Sequence, residues 1–329
     1  MSTPPPALSL RTRLAYGVGA VAFGVKDGGF GFFLLIFYSQ VLGLNASMVG
    51  LAITIALIVD AISDPIVGYW SDNTRSRWGR RHPFMMASLI PVAVCYYLLW
   101  SPPAHWSKDA LFWYLLTMAI LVRLFVTFFE TPNSAMGPEL TEDYDQRSGL
   151  LSYRFFFGWS GGNLITVLTF ALVFPAFVTA SITNGQFNPA AYQIYGAIAA
   201  TTMFLAALVS VWGTADRIPY LQPPPPKRAM TVRERFAEVW ETLADRSFAA
   251  LFVSAIFGAI AGGLSTALTF YFGTFFWGFS SGQIGVLTLG VFLSAILGAV
   301  LAGPATRSIG KKQGAIIIGL IAFLGAPLP

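Results

Sequence analysis

The chain has 329 residues, of which 55% are hydrophobic, 15% aromatic and 11% charged, with a mean hydropathy of +0.65 and a formal net charge of +5. Soluble domains carry about 25% charged residues, so this composition excludes a soluble globular protein and predicts an all-helical chain that crosses a membrane many times. The single cysteine, Cys95, excludes a disulfide within the chain and a cysteine metal cluster, and its apolar surroundings make it a packing residue.

Met1 to Leu10 is proline-rich and lacks the basic region, apolar core and small-residue cleavage site of a signal peptide, so the first span is expected to be retained behind a short cytoplasmic arm. Apolar runs of about 20 residues, the length that crosses ~30 Å of hydrocarbon, fall near 14–42, 47–71, 84–101, 110–132, 153–180, 190–213, 248–276, 283–304 and 313–327. Arg11, Arg13, Arg75, Arg77, Arg80, Arg81, Arg147, Arg217, Lys227, Arg228, Arg233, Arg235, Arg246, Arg307, Lys311 and Lys312 occupy alternate loops, and Lys108 alone lies in the opposite set. Basic loops stay on the cytoplasmic side, which predicts an N-terminus inside. The positive charge is therefore a topology signal, and no nucleic-acid module accompanies it.

The polar interval from about Thr214 to Arg246 starts with Pro223 to Pro226 and continues with Arg233, Glu234, Phe236, Glu238, Trp240 and Glu241, the pattern of a linker followed by an amphipathic cytoplasmic helix. The expected domains are a six-helix N-terminal bundle over 1–213, this linker over 214–247, and a partial C-terminal bundle over 248–329.

Four carboxylates, Asp27, Asp60, Asp64 and Glu130, interrupt the apolar runs. A charge at the bilayer centre costs roughly 2.5 to 3.5 kcal/mol on insertion scales, so these residues are functional candidates. Asp60 and Asp64, four apart, share a helix face one turn apart, where two negative charges repel and a cation relieves them. A hard ion such as Na+ prefers oxygen ligands, which Thr127 on the fourth span and Ser63 between the aspartates are placed to add. The alternative is a carboxylate pair bonded to Arg123, Arg154 or Lys26 for structural reasons. Pro65 frees a carbonyl that serves either as a ligand or only as a kink. Asp27 and Glu130 offer acceptor oxygens and Arg154 a cationic donor within the spans, groups suited to binding a polar ligand. Lys26 and Asp27 are neighbours expected to point different ways, each needing another partner.

After the second span, Gly68, Asp72, Arg75, Arg77, Gly79, Arg80 and Arg81 suggest a conformational latch, in which Gly68 permits close helix approach and Asp72 pairs with an arginine or a helix terminus. The plainer alternative is a topogenic cluster. A weaker copy, Gly303, Arg307, Gly310, Lys311 and Lys312, follows the eighth span.

Asp60-Ala-Ile-Ser-Asp64-Pro65 continuing to Arg81, Tyr16-Gly-Val-Gly with Lys26-Asp27 beyond it, and Glu130-Thr-Pro132 followed by Pro138-Glu-Leu-Thr, Asp145, Arg147 and Arg154-Phe-Phe occur in one order and spacing. In this the chain resembles the glycoside-pentoside-hexuronide:cation symporters, the melibiose-permease-like branch of the major facilitator superfamily. The likeness covers much of the first 155 residues and is mainly architectural from the seventh span on. It implies a major facilitator-type bundle of two six-span halves, cut here within the ninth span at Pro329, as a fragment or a natural truncation. It implies a secondary active transporter that moves a sugar, glycoside or similar small polar solute with Na+ or H+ by alternating access.

Residue by residue, the resemblance implies that Asp60 and Asp64 bind the cation, that Asp27 and Glu130 bind the sugar, that Arg154 contacts it, and that Lys26 matches a family lysine. Ser63 stands where an asparagine is associated with sodium use, which favours H+; Glu130 replaces an aspartate; Ser134 replaces a tryptophan that packs on the sugar ring. Relatives in the superfamily carry lysolipids, and the stripe Phe30, Phe33 and Phe37 suits either that or plain packing. Beyond the coupling ion no cofactor is expected, and the protein is expected to be a monomer among the lipids of a bacterial inner membrane. Ser-His-Asp order, a His-Glu-x-x-His motif and a glycine-rich phosphate loop are all missing, which speaks against an enzyme. A non-transporting receptor of the same fold is the remaining alternative.

Overall fold

The structure, a computed structural model, describes residues 8–141, 143–221, 240, 241 and 244–325. Short polar side chains open most of the helices. Ser9 accepts from the Thr12 amide ahead of α1 (Leu10–Gly28), Asn45 from Ser47 ahead of α2 (Ala46–Asn73), and Ser107 from Ala110 ahead of α4 (Lys108–Met136). Asp143, Asn188 and Asp245 do the same for α5 (Tyr144–Leu168), α6 (Pro189–Thr214) and α7 (Arg246–Tyr271). Each such cap satisfies an orphan amide and is worth about 1 kcal/mol. Proline in the first turn opens α3 (His82–Leu99) instead, and α8 (Ser281–Ile309) and α9 (Lys311–Gly325) complete the order. Pro65 sits inside α2 without interrupting it.

The helices that bear on the site run past their α-helical ends. α1 continues through π-helical turns over Gly29–Phe33 and Phe37–Val41, α5 through Thr169–Val173, and α7 through Phe272–Phe276. Eight helices among the described residues are long and apolar enough to cross a membrane, and the 15-residue α9 follows them. Most boundaries match the apolar runs. The exception is α5, which begins at Tyr144 rather than near residue 153. Asp143 caps the Gln146 amide at 2.7 Å, and the polar turn through Arg147 and Ser148 is helical although it is not hydrocarbon-like. The amphipathic helix expected around Arg233, Glu234, Phe236 and Glu238 lies outside the described residues.

α1 packs against α5 and α6, α2 against α4, α3 against α4 and α6, and α8 against α5. At the α1–α5 crossing a Cβ on Gly24 would strike the Gly158 carbonyl oxygen, and one on Gly162 would strike that of Gly24. Lipid tails are as apolar as leucine, so close backbone approach and van der Waals contact must supply this association. Gly68, expected to serve that purpose, does not: a Cβ there would meet Thr131 Cγ2 at 3.4 Å, an ordinary contact.

At the end of the bundle where α1 finishes, Phe37 stacks on Tyr192 at 4.4 Å and Phe33 meets Tyr195 edge-on at 4.8 Å, beside Trp100. Phe33 and Phe37 are buried, so this part of the aromatic stripe is packing. Cys95 belongs to the same core. α7 joins here as well, since Gln40 donates to the Tyr271 hydroxyl at 3.1 Å and Phe187 lies 6.4 Å from Phe275. A Cβ on Gly285 of α8 would stand 3.2 Å from Phe170 Cβ. In contrast, none of the apolar window of Arg246–Ser265 in α7 is buried.

Because the one cysteine is buried, a thiol-reactive fluorogenic dye reports unfolding of this chain directly. Gly162→Val is expected to destabilise the protein by at least about 1–3 kcal/mol through overpacking. Gly50→Ala, at a position with open space around it, is the control. Equal melting temperatures for wild type and Gly162→Val would show that the α1–α5 contact is not tight.

Candidate functional site

α2 and α4 lie side by side, and each presents one face to the other. On α2 that face carries Asp60 and Asp64; on α4, residues four apart put Arg123, Thr127 and Thr131 in a column. Arg123 Nη1 donates to Asp60 Oδ2 at 2.7 Å. Thr127 Oγ1 lies 3.1 Å from Asp60 Oδ1 and 2.8 Å from Asp64 Oδ1, and Thr131 Oγ1 reaches Asp64 Oδ1 at 3.4 Å. A hydroxyl has a single proton, so Thr127 cannot donate fully to both carboxylates. Arg123 is buried, and its guanidinium carbon lies 4.9 Å from the centre of the Phe30 ring in the first π-helical turn of α1. Ser63 is not brought into this group: its hydroxyl donates to the Asp60 backbone carbonyl at 3.1 Å. Thr131 was not foreseen, although its spacing from Thr127 is the signal that finds it.

One turn along α4, Glu130 forms an ion pair with Arg154 of α5. Lys26 and Asp27 lie on α1, which packs against α5, the helix that carries Arg154. These two do not seek separate partners. Lys26 Nζ meets Asp27 Oδ1 at 2.6 Å, because the four-carbon lysine stem is long and flexible enough to double back along the helix. Lys26 is 5% exposed and lies 4.4 Å from the Phe23 ring, whereas the Asp27 side chain is 51% exposed. Asp27 thus keeps acceptor capacity for a ligand, and Glu130 Oε2 has no hydrogen-bond partner among the described residues. Ser134, where a ring-stacking group was absent from the sequence, donates to the Thr131 carbonyl at 3.0 Å.

A second charge cluster lies at the end of the bundle where α2 finishes. Arg81 donates to Asp72 at 2.9 and 3.2 Å and meets Glu139 at 2.8 Å, and Arg80 pairs with Glu139 and approaches Asp72 at 3.8 Å. Gly79 turns the chain with φ +75°, a left-handed conformation that favours glycine, and so delivers both arginines inward. The cluster is smaller than the expected latch. Arg75 and Arg77 are exposed, with Arg77 lying 5.0 Å from the Trp78 ring, while Glu139, to which the sequence reading assigns no latch role, joins the two arginines together with Asp72. A buried contact from His82 Nε2 to Thr214 Oγ1 at 3.1 Å ties this loop to the end of α6.

Among the described residues no three or more His, Cys, Asp or Glu side chains gather as a metal centre. The oxygens of Asp60, Asp64, Thr127 and Thr131 are what a small monovalent ion would find.

A family model described as MFS/sugar transport protein matches residues 15–329. The inner membrane symporter YicJ of Escherichia coli is 29% identical over 234 residues, 71% of this chain and 48% of the relative. The isoprimeverose transporter of Lactiplantibacillus pentosus is 24% identical over 315 residues, 95% of this chain and 62% of the relative. The sodium-dependent lysophosphatidylcholine symporter 1-A of Danio rerio is 31% identical over 150 residues, 45% of this chain and 28% of the relative. The chain therefore spans less than two thirds of the length of each of these curated relatives.

Replacing Glu139 by Gln leaves Arg80 and Arg81, both buried, with one fewer negative charge. Loss of one partner from a buried ion pair costs about 3 to 5 kcal/mol, so a clear fall in melting temperature is expected in the thiol-dye assay. An unchanged melting temperature would show that the cluster contributes nothing to the stability of this conformation.

Proposed function

Because the chain belongs to the MFS/sugar transport protein family, we propose that it is a cation-coupled secondary transporter, carrying a sugar, glycoside or similar small polar solute by alternating access. The observation that carries this reading is the Thr127 hydroxyl, whose single proton stands between two carboxylates, of which only Asp60 has a guanidinium partner. Na+ or H+ at Asp64 completes the site. Asp27, Glu130 and Arg154 take the solute, with acceptor oxygens at the two acids and donors on the guanidinium, and Lys26 holds Asp27 in place. The first six helices form one half of the carrier and α7 to α9 belong to the other.

In the proposed orientation the N-terminus and the basic loops are cytoplasmic and the membrane is a bacterial inner membrane. The joins of α7 and α8 to the first half lie at the outer end, which suits a carrier closed on the outside. The Asp72, Arg80, Arg81 and Glu139 cluster then acts on the cytoplasmic side, where conformations must be exchanged. A bound cation neutralises Asp64 and holds α2 against α4, beside the Glu130–Arg154 pair on the same helix, so that each ligand binds better when the other is present. The expected coupling is about 1 to 3 kcal/mol.

A second reading, an amphiphile such as a lysolipid as cargo, draws on the Danio rerio relative and on Ser134, which offers no ring to stack on a sugar. Binding of a panel of glycosides, including isoprimeverose, and of lysophosphatidylcholine, with and without Na+ at two pH values, separates the readings. A glycoside whose binding tightens with Na+ or H+ supports the sugar symporter. Lysolipid binding alone moves the cargo to amphiphiles, and ligand binding indifferent to both ions removes cation coupling.

Asp64→Asn is expected to abolish the cation dependence of solute binding while leaving a folded, inserted protein. Glu130→Gln is expected to weaken solute binding by at least about tenfold, the loss of one charge-assisted hydrogen bond. Cation dependence that survives in Asp64→Asn, measured by equilibrium binding, would contradict the site assignment.

A further inference from the structure

Among the described residues, the charges within the interior of the spans nearly cancel, and the remainder falls on one residue. Lys26 answers Asp27, Arg154 answers Glu130 and Arg123 answers Asp60. Asp64 is left with hydroxyl contacts only, both on Oδ1, and it is exposed. Asp60, in contrast, has both oxygens engaged, Oδ2 by Arg123 and Oδ1 by Thr127. Arg123 also lies over the Phe30 ring, 4.9 Å from its centre, which helps to hold the guanidinium beside Asp60. It makes a single hydrogen bond to Asp60, through Nη1, and its buried Nε has no acceptor among the described residues. A pair formed purely to hold α2 on α4 would be expected to use the bidentate fork that arginine and carboxylate favour. Here Asp60 keeps one oxygen on Thr127, the hydroxyl that also reaches Asp64.

We propose that Arg123 is a tethered counter-ion, which neutralises Asp60 permanently and leaves Asp64 as the one uncompensated charge for the mobile cation. This rests on the cation-site reading given above and adds what sets the affinity and number of ions at that site. With Arg123 present, the two aspartates and the guanidinium carry a net charge of minus one, which a single monovalent cation cancels. The fixed positive charge a few ångströms away also keeps the ion weakly enough bound to leave on the far side. Arg123 is thus a positioning residue that tunes the ion and need not touch the solute.

The test compares four purified proteins, wild type, R123Q, D60N and D60N/R123Q, by binding of radioactive Na+ at constant ionic strength and by proton uptake on acidification. Removing a unit positive charge next to the ion is expected to tighten cation binding in R123Q by at least about tenfold, and D60N, which leaves Arg123 facing Asp64 alone, is expected to weaken it by a similar factor. The double variant restores the net charge and is expected to bind within about fivefold of wild type, a non-additivity that only a coupled pair produces.

Cation binding in folded R123Q that equals or falls below wild type would overturn the proposal, as would a double variant no better than D60N. Should R123Q not purify as a folded protein, the double variant, which has no unpaired buried charge, decides alone: near-wild-type binding supports the tethered counter-ion and its loss overturns it. A wild-type protein that responds to neither Na+ nor protons fails the cation-site reading itself, and the inference with it. The two failures are therefore told apart by the wild-type protein.

Discussion

The structure depends on how charge is held inside an apolar bundle, and the pairing of Arg123 with Asp60 is where this is most consequential. An ionised carboxylate in hydrocarbon must find a counter-charge, water or an ion. Here the interior acids Asp27, Asp60 and Glu130 meet a cation on the protein, and Asp64 meets only hydroxyls. That asymmetry gives the α2–α4 seam its chemistry. The proposed ion site depends on that seam, because hydroxyl and carboxylate oxygens on two helices can share a small ion only while the helices stay in register.

The rest of the fold supplies that register. Glycines let α1 and α5 touch backbone to backbone, which fixes Lys26 and Asp27 on one helix relative to Arg154 on the other. Phe30 carries the same constraint from α1 to Arg123. Aromatic packing of Phe33, Phe37, Trp100, Tyr192 and Tyr195 closes one end of the bundle, and the Asp72, Arg80, Arg81 and Glu139 cluster ties the other. The two ends differ in kind. Buried aromatic packing is insensitive to ions, whereas a partly exposed ion-pair cluster weakens when solvent enters. Both clusters lie within the first six helices, so they hold that half together at its two ends with the charged residues between them.

Much of this was legible in the sequence, because apolar run length and helical spacing are local properties. Run length located the spans, and the four-residue interval placed Asp60 and Asp64 on one face with Thr127 across from them. Choices among partners were not legible, because they depend on which helices touch. Arg123 was one of three cations that sequence allows for the aspartates, and only the α2–α4 contact selects it. Lys26 and Asp27 defeated the expectation from helix direction because lysine has enough freedom to override it. Gly68 looked like the close-approach glycine, yet the close approach falls at Gly24, Gly158 and Gly162, whose sequence context differs little from that of other glycines in the chain. The start of α5 was missed because a capped polar turn is helical without being apolar.

The central claim is that one site binds an ion, another binds a solute, and each strengthens the other. Linkage requires the two effects to be equal. The decisive measurement is the affinity for Na+, or for protons if Na+ has no effect, with and without a saturating glycoside, set against the affinity for that glycoside with and without the ion. A common factor of about 5 to 150 in both directions is predicted. Ion binding that does not change when the solute site is full would contradict the account, whatever the protein is found to bind.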